Sequence, residues 1–135
     1  MVASVWRTVW NGWCTKARTE QKFANCVLGC GGEAADRIEH YALCKYVRWL
    51  SEAAFGMSAA PSLARFLLLQ HGMDQSEMVK MAVIVHAMYT VTNAYRKKVS
   101  HCESEIKDAL SQVVKDVCGG MGITAFGRPL RNTRA

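Results

Sequence analysis

The 135-residue sequence predicts an all-α protein: a small helical domain with a Cys/His-rich N-terminal region, followed by a helical bundle and a flexible basic tail. Apolar residues recur at helical spacing in five segments. Acidic or hydroxyl residues that can cap a helix precede several of these segments, and glycines lie between them. Half of the residues are hydrophobic and 21% are charged, a composition typical of a folded globular protein.

The first predicted helix spans Ser4 to Trp13. Trp6, Val9, Trp10 and Trp13 fall at positions i, i+3, i+4 and i+7, which places three indole rings on one face. Such a face usually packs into a core, although aromatic rings can also stack on exposed nucleic-acid bases. The glycine-rich segment 26–32 then predicts a tight turn.

Two further helices follow in the central part of the chain. Asp36, with Glu39 three residues later, forms a capping pair that opens the second helix, and Gly56 ends it after Phe55. The third helix runs from Ser62 to His71, behind Pro61, and Gly72 stops it.

The last two helices are the longest. Asp74 and Glu77 open a helix that extends to about Lys98, and Ser100 with Glu103 opens another that closes at Gly119-Gly120. Helical spacing outweighs the β-branched runs at 83–85 and 113–114, so strand content should be near zero. The sequence predicts a Cys/His region at 1–55, a bundle at 56–118 packed on it, and a tail at 119–135.

The predicted tail contains four glycines, one proline, three arginines and no acidic residue. Glycine and proline disfavour helix, so this segment should stay flexible. We expect that its removal leaves the melting temperature nearly unchanged.

Six cysteines and the absence of a secretory signal pattern in residues 1–14 predict a cytoplasmic or nuclear protein whose thiols stay reduced. The longest uncharged apolar stretch, 81–95, is shorter than the ~20 residues that a membrane span needs, so no membrane partner is expected. In a reducing compartment, closely spaced cysteines favour metal binding or simple burial over disulfide formation.

Cys26, Cys30, His40 and Cys44 follow the spacing C-x3-C-x9-H-x3-C. A glycine turn lets the first two thiolates converge, and residues four apart on a helix share a face, so His40 and Cys44 should point together. Three thiolates and one imidazole form a tetrahedral zinc site, which makes the sequence typical of a zinc knuckle (CCHC) stapled to a helix. The alternative is that the cysteines are small buried residues and His40 lies on the surface.

Three segments carry a resemblance to a known family: residues 11–18, residues 26–30, and residues 36–44, which read Asp-Arg-Ile-Glu-His-Tyr-Ala-Leu-Cys. Together they resemble the zinc-knuckle region that follows the polymerase of non-LTR retrotransposon reverse transcriptases. The resemblance covers about residues 5 to 50 and implies that Cys26, Cys30, His40 and Cys44 are zinc ligands. It also implies a nucleic-acid-binding appendage that contacts RNA or DNA.

The sequence lacks the catalytic part of such an enzyme. A reverse transcriptase needs paired metal-binding aspartates, and Asp36, Asp74, Asp108 and Asp116 form no such pair. Glu105 and Lys107 match half of an endonuclease motif, but side chains two apart on a helix face in different directions. We therefore expect no enzyme activity and no small-molecule substrate.

The net charge of +6 favours an acidic partner, nucleic acid first. In the first hypothesis, the knuckle orders a basic nucleic-acid-binding surface built from Lys16, Arg18, Lys22, Arg37, Lys45 and Arg48. In the second, zinc staples the N-terminal helices to the bundle in a protein-interaction or structural domain, and the charge serves solubility.

Overall fold

A computed structural model describes residues 26–30, 36, 38–58, 62–96 and 102–129. Five helices and a short β-hairpin occur in this part of the chain. They are α1 (Ile38–Leu43), α2 (Lys45–Phe55), α3 (Leu63–Phe66), α4 (Gln75–Tyr95), α5 (Glu103–Met121), β1 (Thr124–Ala125) and β2 (Arg128–Pro129). The all-α prediction is confirmed. The predicted helix Ser4 to Trp13 lies outside the described residues.

Helix α4 forms the centre of the molecule. Its buried positions include the consecutive run 81–85, so the middle of the helix is enclosed on nearly all sides, while residues near both of its ends are exposed. Helix α5 packs along it through Ile106, Leu110, Val114 and Cys118, which are spaced four residues apart on one face. Helix α2 contacts both helices.

The predicted second helix is wrong in one respect, because it breaks at Cys44. The backbone of Cys44 is extended, with ψ 142°, and its carbonyl oxygen accepts from the amide of Val47 at 2.9 Å to start α2. Neither glycine nor proline marks this break in the sequence. Gly56, with φ +61°, ends α2 as predicted.

The predicted third helix is too long, since α3 ends at Phe66 instead of His71. Leu68 adopts the left-handed conformation, with φ +61°. The amides of Leu68 and Leu69 then bond to the carbonyls of Arg65 and Ala64, at 3.1 and 2.7 Å. This is a Schellman ending, in which glycine usually occupies the left-handed position. A leucine at that position does not indicate a helix end in the sequence.

The capping prediction for α4 is confirmed, because the Asp74 carboxylate accepts from the amide of Glu77 at 2.8 Å. Helix α4 ends at Tyr95, short of the predicted Lys98. Helix α5 begins after Cys102, not after Ser100, which lies outside the described residues. The runs 83–85 and 113–114 are helical, as predicted.

The predicted flexible tail is wrong for residues 119–129. Gly119 and Gly120 belong to α5, which continues to Met121 and ends where Gly122 takes φ +68°. Strands β1 and β2 then pair antiparallel, with Ala125 opposite Arg128, around the two turn residues Phe126 and Gly127.

The hairpin docks on the end of α2. Its Phe126 amide donates to the carbonyl of Ala54 at 2.7 Å, and Ala125 is buried in the core. This docking is the physical reason why the segment is not a free tail. Residues 130–135 lie outside the part that the structure describes.

Candidate metal centre

A turn brings the first two cysteines of the motif to one place. The amide of Gly29 donates to the carbonyl of Cys26 at 3.0 Å, and Gly29 has φ +61°. This left-handed conformation costs free energy for residues that have a Cβ atom, whereas glycine adopts it freely. The predicted glycine turn is confirmed at this position, and Gly31 lies outside the described residues.

The second half of the motif comes from α1 and from the break that follows it. His40 lies in α1, and Cys44 is the extended residue between α1 and α2. The two side chains therefore do not share one continuous helix face, which corrects the expected geometry. They nevertheless converge, because the break at Cys44 keeps its thiol buried against the turn.

The ligand atoms of Cys26, Cys30, His40 and Cys44 all lie within 4.8 Å of one another. The Cys30 sulfur lies 3.2 Å from His40 Nε2. Around a tetrahedral zinc ion, the bond lengths would set these separations at about 3.6–3.8 Å. Small rotations of the side chains could bring the four ligand atoms to that spacing, so the cluster could hold one metal ion.

The centre lies at the edge of the core. Cys26 and Cys44 are buried, at 7% and 0% exposure, whereas Cys30 and His40 are half-buried. All five described cysteines are free thiols, and Cys102 and Cys118 are the two that lie apart from this group. A metal ion held here would have protein on one side and access from solvent on the other.

The thiols of the cluster perturb one another strongly. The pKa of Cys26 is lowered mainly by a hydrogen bond from Cys44, which stabilises the Cys26 thiolate. The same hydrogen bond raises the pKa of Cys44, and burial raises that of Cys30. One thiolate therefore forms readily while its neighbours resist ionisation, and a bound cation would relieve the repulsion among three thiolates.

A buried polar network lies beside the centre, and the motif analysis did not find it. The Tyr41 hydroxyl accepts from the amide of Val27 at 3.1 Å and donates to the carboxylate of Asp36. Arg96, the residue that follows α4, contacts the same carboxylate with both of its terminal nitrogens, at 2.8 and 3.4 Å. The sequence interpretation gave Asp36 only a capping role, and no spacing rule points to a residue 60 positions away.

Two of the six predicted nucleic-acid-binding residues fall in the described part of the chain. Lys45 and Arg48 are exposed on α2, directly after Cys44. The Lys45 ammonium lies 3.9 Å from the Glu103 carboxylate and 5.2 Å from the centre of the Tyr46 ring. The Glu103 carboxylate also pairs with Lys107. Lys16, Arg18, Lys22 and Arg37 lie outside the described residues.

Another basic group near this surface comes from α5. The Lys107 ammonium lies 5.2 Å from the centre of the Trp49 ring, which is half-buried on α2. This contact depends on tertiary packing, so the sequence alone gave no reason to add Lys107 to the basic surface.

None of the described helices is long and apolar enough to cross a membrane. Comparisons of the chain with protein-family models, with curated proteins and with solved structures found no match. The features that bear on function are the Cys/His cluster, its surroundings and the charge of the chain.

Proposed function

We propose that Cys26, Cys30, His40 and Cys44 bind one structural zinc ion. The observation that carries this proposal is the convergence of three sulfurs and one imidazole nitrogen within 4.8 Å. Thiolate and imidazole donors in a tetrahedral set favour zinc over magnesium or calcium, which prefer oxygen. Reduced thiols fit a cytoplasmic or nuclear location.

The proposed role of the metal is structural, and the chain is proposed to have no catalytic activity. Four protein ligands fill a tetrahedron, whereas a catalytic zinc keeps one position open for water or substrate. The burial of Cys26 and Cys44 in the core gives the metal a direct connection to the fold. Removing the ion would leave two buried thiols without their shared partner.

Metal content tests this proposal. The protein purified under reducing conditions is expected to contain about one zinc per chain by elemental analysis, because four ligands close one site. Cys30→Ser and Cys44→Ser should each lose most of the metal. Cys102→Ser and Cys118→Ser are matched controls outside the cluster and should retain it. Wild-type protein without metal, or equal loss in all four variants, would contradict the assignment.

For the module as a whole, we propose binding to RNA or DNA. Support comes from the net charge of +6, from the exposure of Lys45 and Arg48 on the helix that follows Cys44, and from the resemblance to the knuckle region of retrotransposon reverse transcriptases. Contacts from such residues to phosphates would dominate the affinity.

A second candidate is a zinc-stapled protein-interaction or structural domain. The specific observation in its favour is that Glu103 lies within ion-pair distance of both Lys45 and Lys107, which offsets part of the positive charge near the cluster. In this case the zinc would fix the N-terminal helices to the bundle, and the remaining charge would serve solubility.

A salt titration distinguishes the two candidates. We expect the zinc-loaded protein to bind labelled single-stranded RNA or duplex DNA with an affinity that falls steeply with salt, because binding releases counterions. Arg48→Ala should reduce the slope of log affinity against log salt by about one. Lys115→Ala, on α5 beside the hairpin, is the control. Absence of binding near ~0.1 M salt would favour the second candidate.

A further inference from the structure

The carboxylate of Asp36 is the most deeply buried charged group in the described part of the chain. Its side chain has 0% exposure, and Arg96 lies 2.8 Å from one of its oxygens with only 14% of the arginine side chain exposed. The Tyr41 hydroxyl donates to the other oxygen. A buried carboxylate persists only when charge and hydrogen bonds compensate its lost hydration, and these two partners supply both.

The network reaches both halves of the metal centre. Tyr41 follows the proposed ligand His40 directly in α1, and its hydroxyl accepts from the amide of Val27, which follows the proposed ligand Cys26. One phenol oxygen thereby holds the turn against the helix. The sequence separation across this contact is 14 residues, so local chain connectivity does not enforce it.

The network also anchors the centre to the bundle. Arg96 is the residue at the C-terminal end of α4, the buried central helix. Its two contacts with Asp36 are fixed in direction, because a guanidinium group is planar and binds a carboxylate through a rigid pair of N–H donors. A continuous chain of contacts therefore runs from the end of α4 through Asp36 and Tyr41 to the turn.

We propose that Asp36, Tyr41 and Arg96, here termed the carboxylate clamp, are positioning residues that hold the two halves of the metal centre at ligand spacing and thereby set its metal affinity. This inference rests on the proposed metal site. The clamp lies outside the ligand set, so it acts on the arrangement of the thiols and the imidazole and not on the metal directly.

Preorganisation explains why the clamp would control affinity. A turn and a helix that were free to separate would have to be brought together when the metal binds, and that ordering would weaken binding. Residues that orient metal ligands commonly change affinity by about 10–100-fold when they are substituted. Here the Tyr41 hydroxyl, on the helix that carries His40, bonds the amide of Val27 next to Cys26.

The test compares metal affinity in variants of the full-length protein by competition with a chelator. Co²⁺ serves as a second probe, because its thiolate absorption reports the ligand set directly. Tyr41→Phe removes only the bridging oxygen and should weaken zinc binding about tenfold. Arg96→Met leaves Asp36 buried without its cation and should weaken binding at least as much. Arg96→Lys should restore part of the affinity, since an ammonium can still reach one oxygen.

Leu110→Ala is the control, because it removes fully buried apolar volume on α5 without touching the clamp. It should lower the melting temperature yet change the metal affinity of the folded protein less than threefold. The double variant Tyr41→Phe/Arg96→Met should lose less affinity than the two single losses multiplied, because both act through Asp36.

The outcomes separate the two proposals. If the wild-type protein itself fails to bind zinc or Co²⁺, the proposal of the metal site is wrong, and the proposal of the carboxylate clamp is wrong as well. If the wild-type protein binds and Tyr41→Phe retains affinity within twofold, only the clamp is overturned. The clamp is also overturned if Leu110→Ala loses as much affinity as Tyr41→Phe, since the effect would then reflect general stability.

Discussion

The turn that carries Cys26 depends on a single glycine. Gly29 has φ +61°, and a Cβ atom at this position would meet nothing within 4 Å, so a substitution would be penalised by backbone strain alone. We expect Gly29→Ala to reduce the free energy of unfolding by about 1–2 kcal/mol, the usual cost of the left-handed conformation for an L-residue.

Gly120→Ala is the matched control for this prediction. Gly120 also has open space around its Cα, but it lies inside helix α5, where alanine is preferred by about 1 kcal/mol. Urea denaturation of both variants measures the difference. Equal effects of the same sign at the two positions would contradict the assigned turn.

Cys118 makes stability depend on pH at the alkaline end. Burial raises the pKa of this thiol in the folded protein, whereas the unfolded chain ionises near its ordinary value of ~8.5. The contribution of Cys118 to the free energy of unfolding is fully present below the pKa of this thiol in the unfolded chain. It is lost as the pH rises towards the pKa of the thiol in the folded protein. The loss is at most about 1.4 kcal/mol per pH unit.

Urea denaturation of the metal-loaded protein between about pH 7.5 and 10 tests this dependence. We expect Cys118→Ala to be less stable than wild type at neutral pH but to lose less stability on going to high pH. Cys102→Ala is the control, because a hydrogen bond with Ser104 lowers the pKa of this exposed thiol, so its removal should not reduce the loss of stability at high pH as Cys118→Ala does. Parallel curves for the wild type and Cys118→Ala would contradict the prediction.

The four proposed ligands could be found from the sequence because their types and spacing are themselves the signal. The carboxylate clamp could not, since Asp36 and Arg96 are 60 residues apart and meet only after α4 has packed. Pairwise contacts of this kind depend on tertiary structure, which motif spacing does not encode.

Among the secondary-structure elements, two helix termini were predicted correctly from glycine or a capping pair, whereas the stop predicted at Gly72 and the end predicted at Gly119-Gly120 were wrong. Gly56 ends α2 and Asp74 caps α4, as expected from their intrinsic preferences. The ends at Cys44 and Leu68 were not predicted, because side chains with no turn preference occupy an extended and a left-handed position there. Tertiary packing overrides local propensity at both positions.

The C-terminal hairpin is attached to the core through Phe126. Phe126 is half-buried against the core, its amide bonds to Ala54, and the Lys115 ammonium lies 5.5 Å from its ring centre. We expect Phe126→Ala to lower the free energy of unfolding by about 2 kcal/mol, somewhat less than the truncation of a fully buried phenylalanine does. Thermal unfolding measures this cost.

Met121→Ala is the control for the hairpin, because this side chain is 50% exposed at the end of α5. Its substitution should change the melting temperature by no more than about a degree or two. Removal of residues 122–135 should lower it much more than either single change. A melting temperature unaffected by Phe126→Ala would instead support the flexible tail that composition alone predicted.

Across the described residues, the Cys/His cluster and the bundle share one core. The buried cluster extends from Cys26 and Leu28, through the inner face of α2, to Ala125 in the hairpin. The sequence placed a boundary near residue 55 because glycine and proline follow it. The sequence predicted that a bundle at 56–118 packs on the preceding residues, but motif spacing does not show which side chains meet across that contact.

This shared core predicts how the protein responds to metal removal. Because α2 packs against both α4 and α5, and Arg96 joins α4 to the centre, loss of the ion should destabilise the bundle together with residues 26–58. Structural zinc contributes about 10–16 kcal/mol of binding free energy in small domains, comparable with the ~5–15 kcal/mol stability of a whole domain.

Amide hydrogen exchange with and without a chelator measures this coupling. We expect chelation to reduce protection at Val114 in α5 along with protection at Val47 in α2, since both amides belong to helices packed in one core. Re-addition of zinc should restore both, which controls for irreversible damage. Protection lost only before residue 58 and retained throughout α4 and α5 would show two independent units, and the metal would then order the N-terminal region alone.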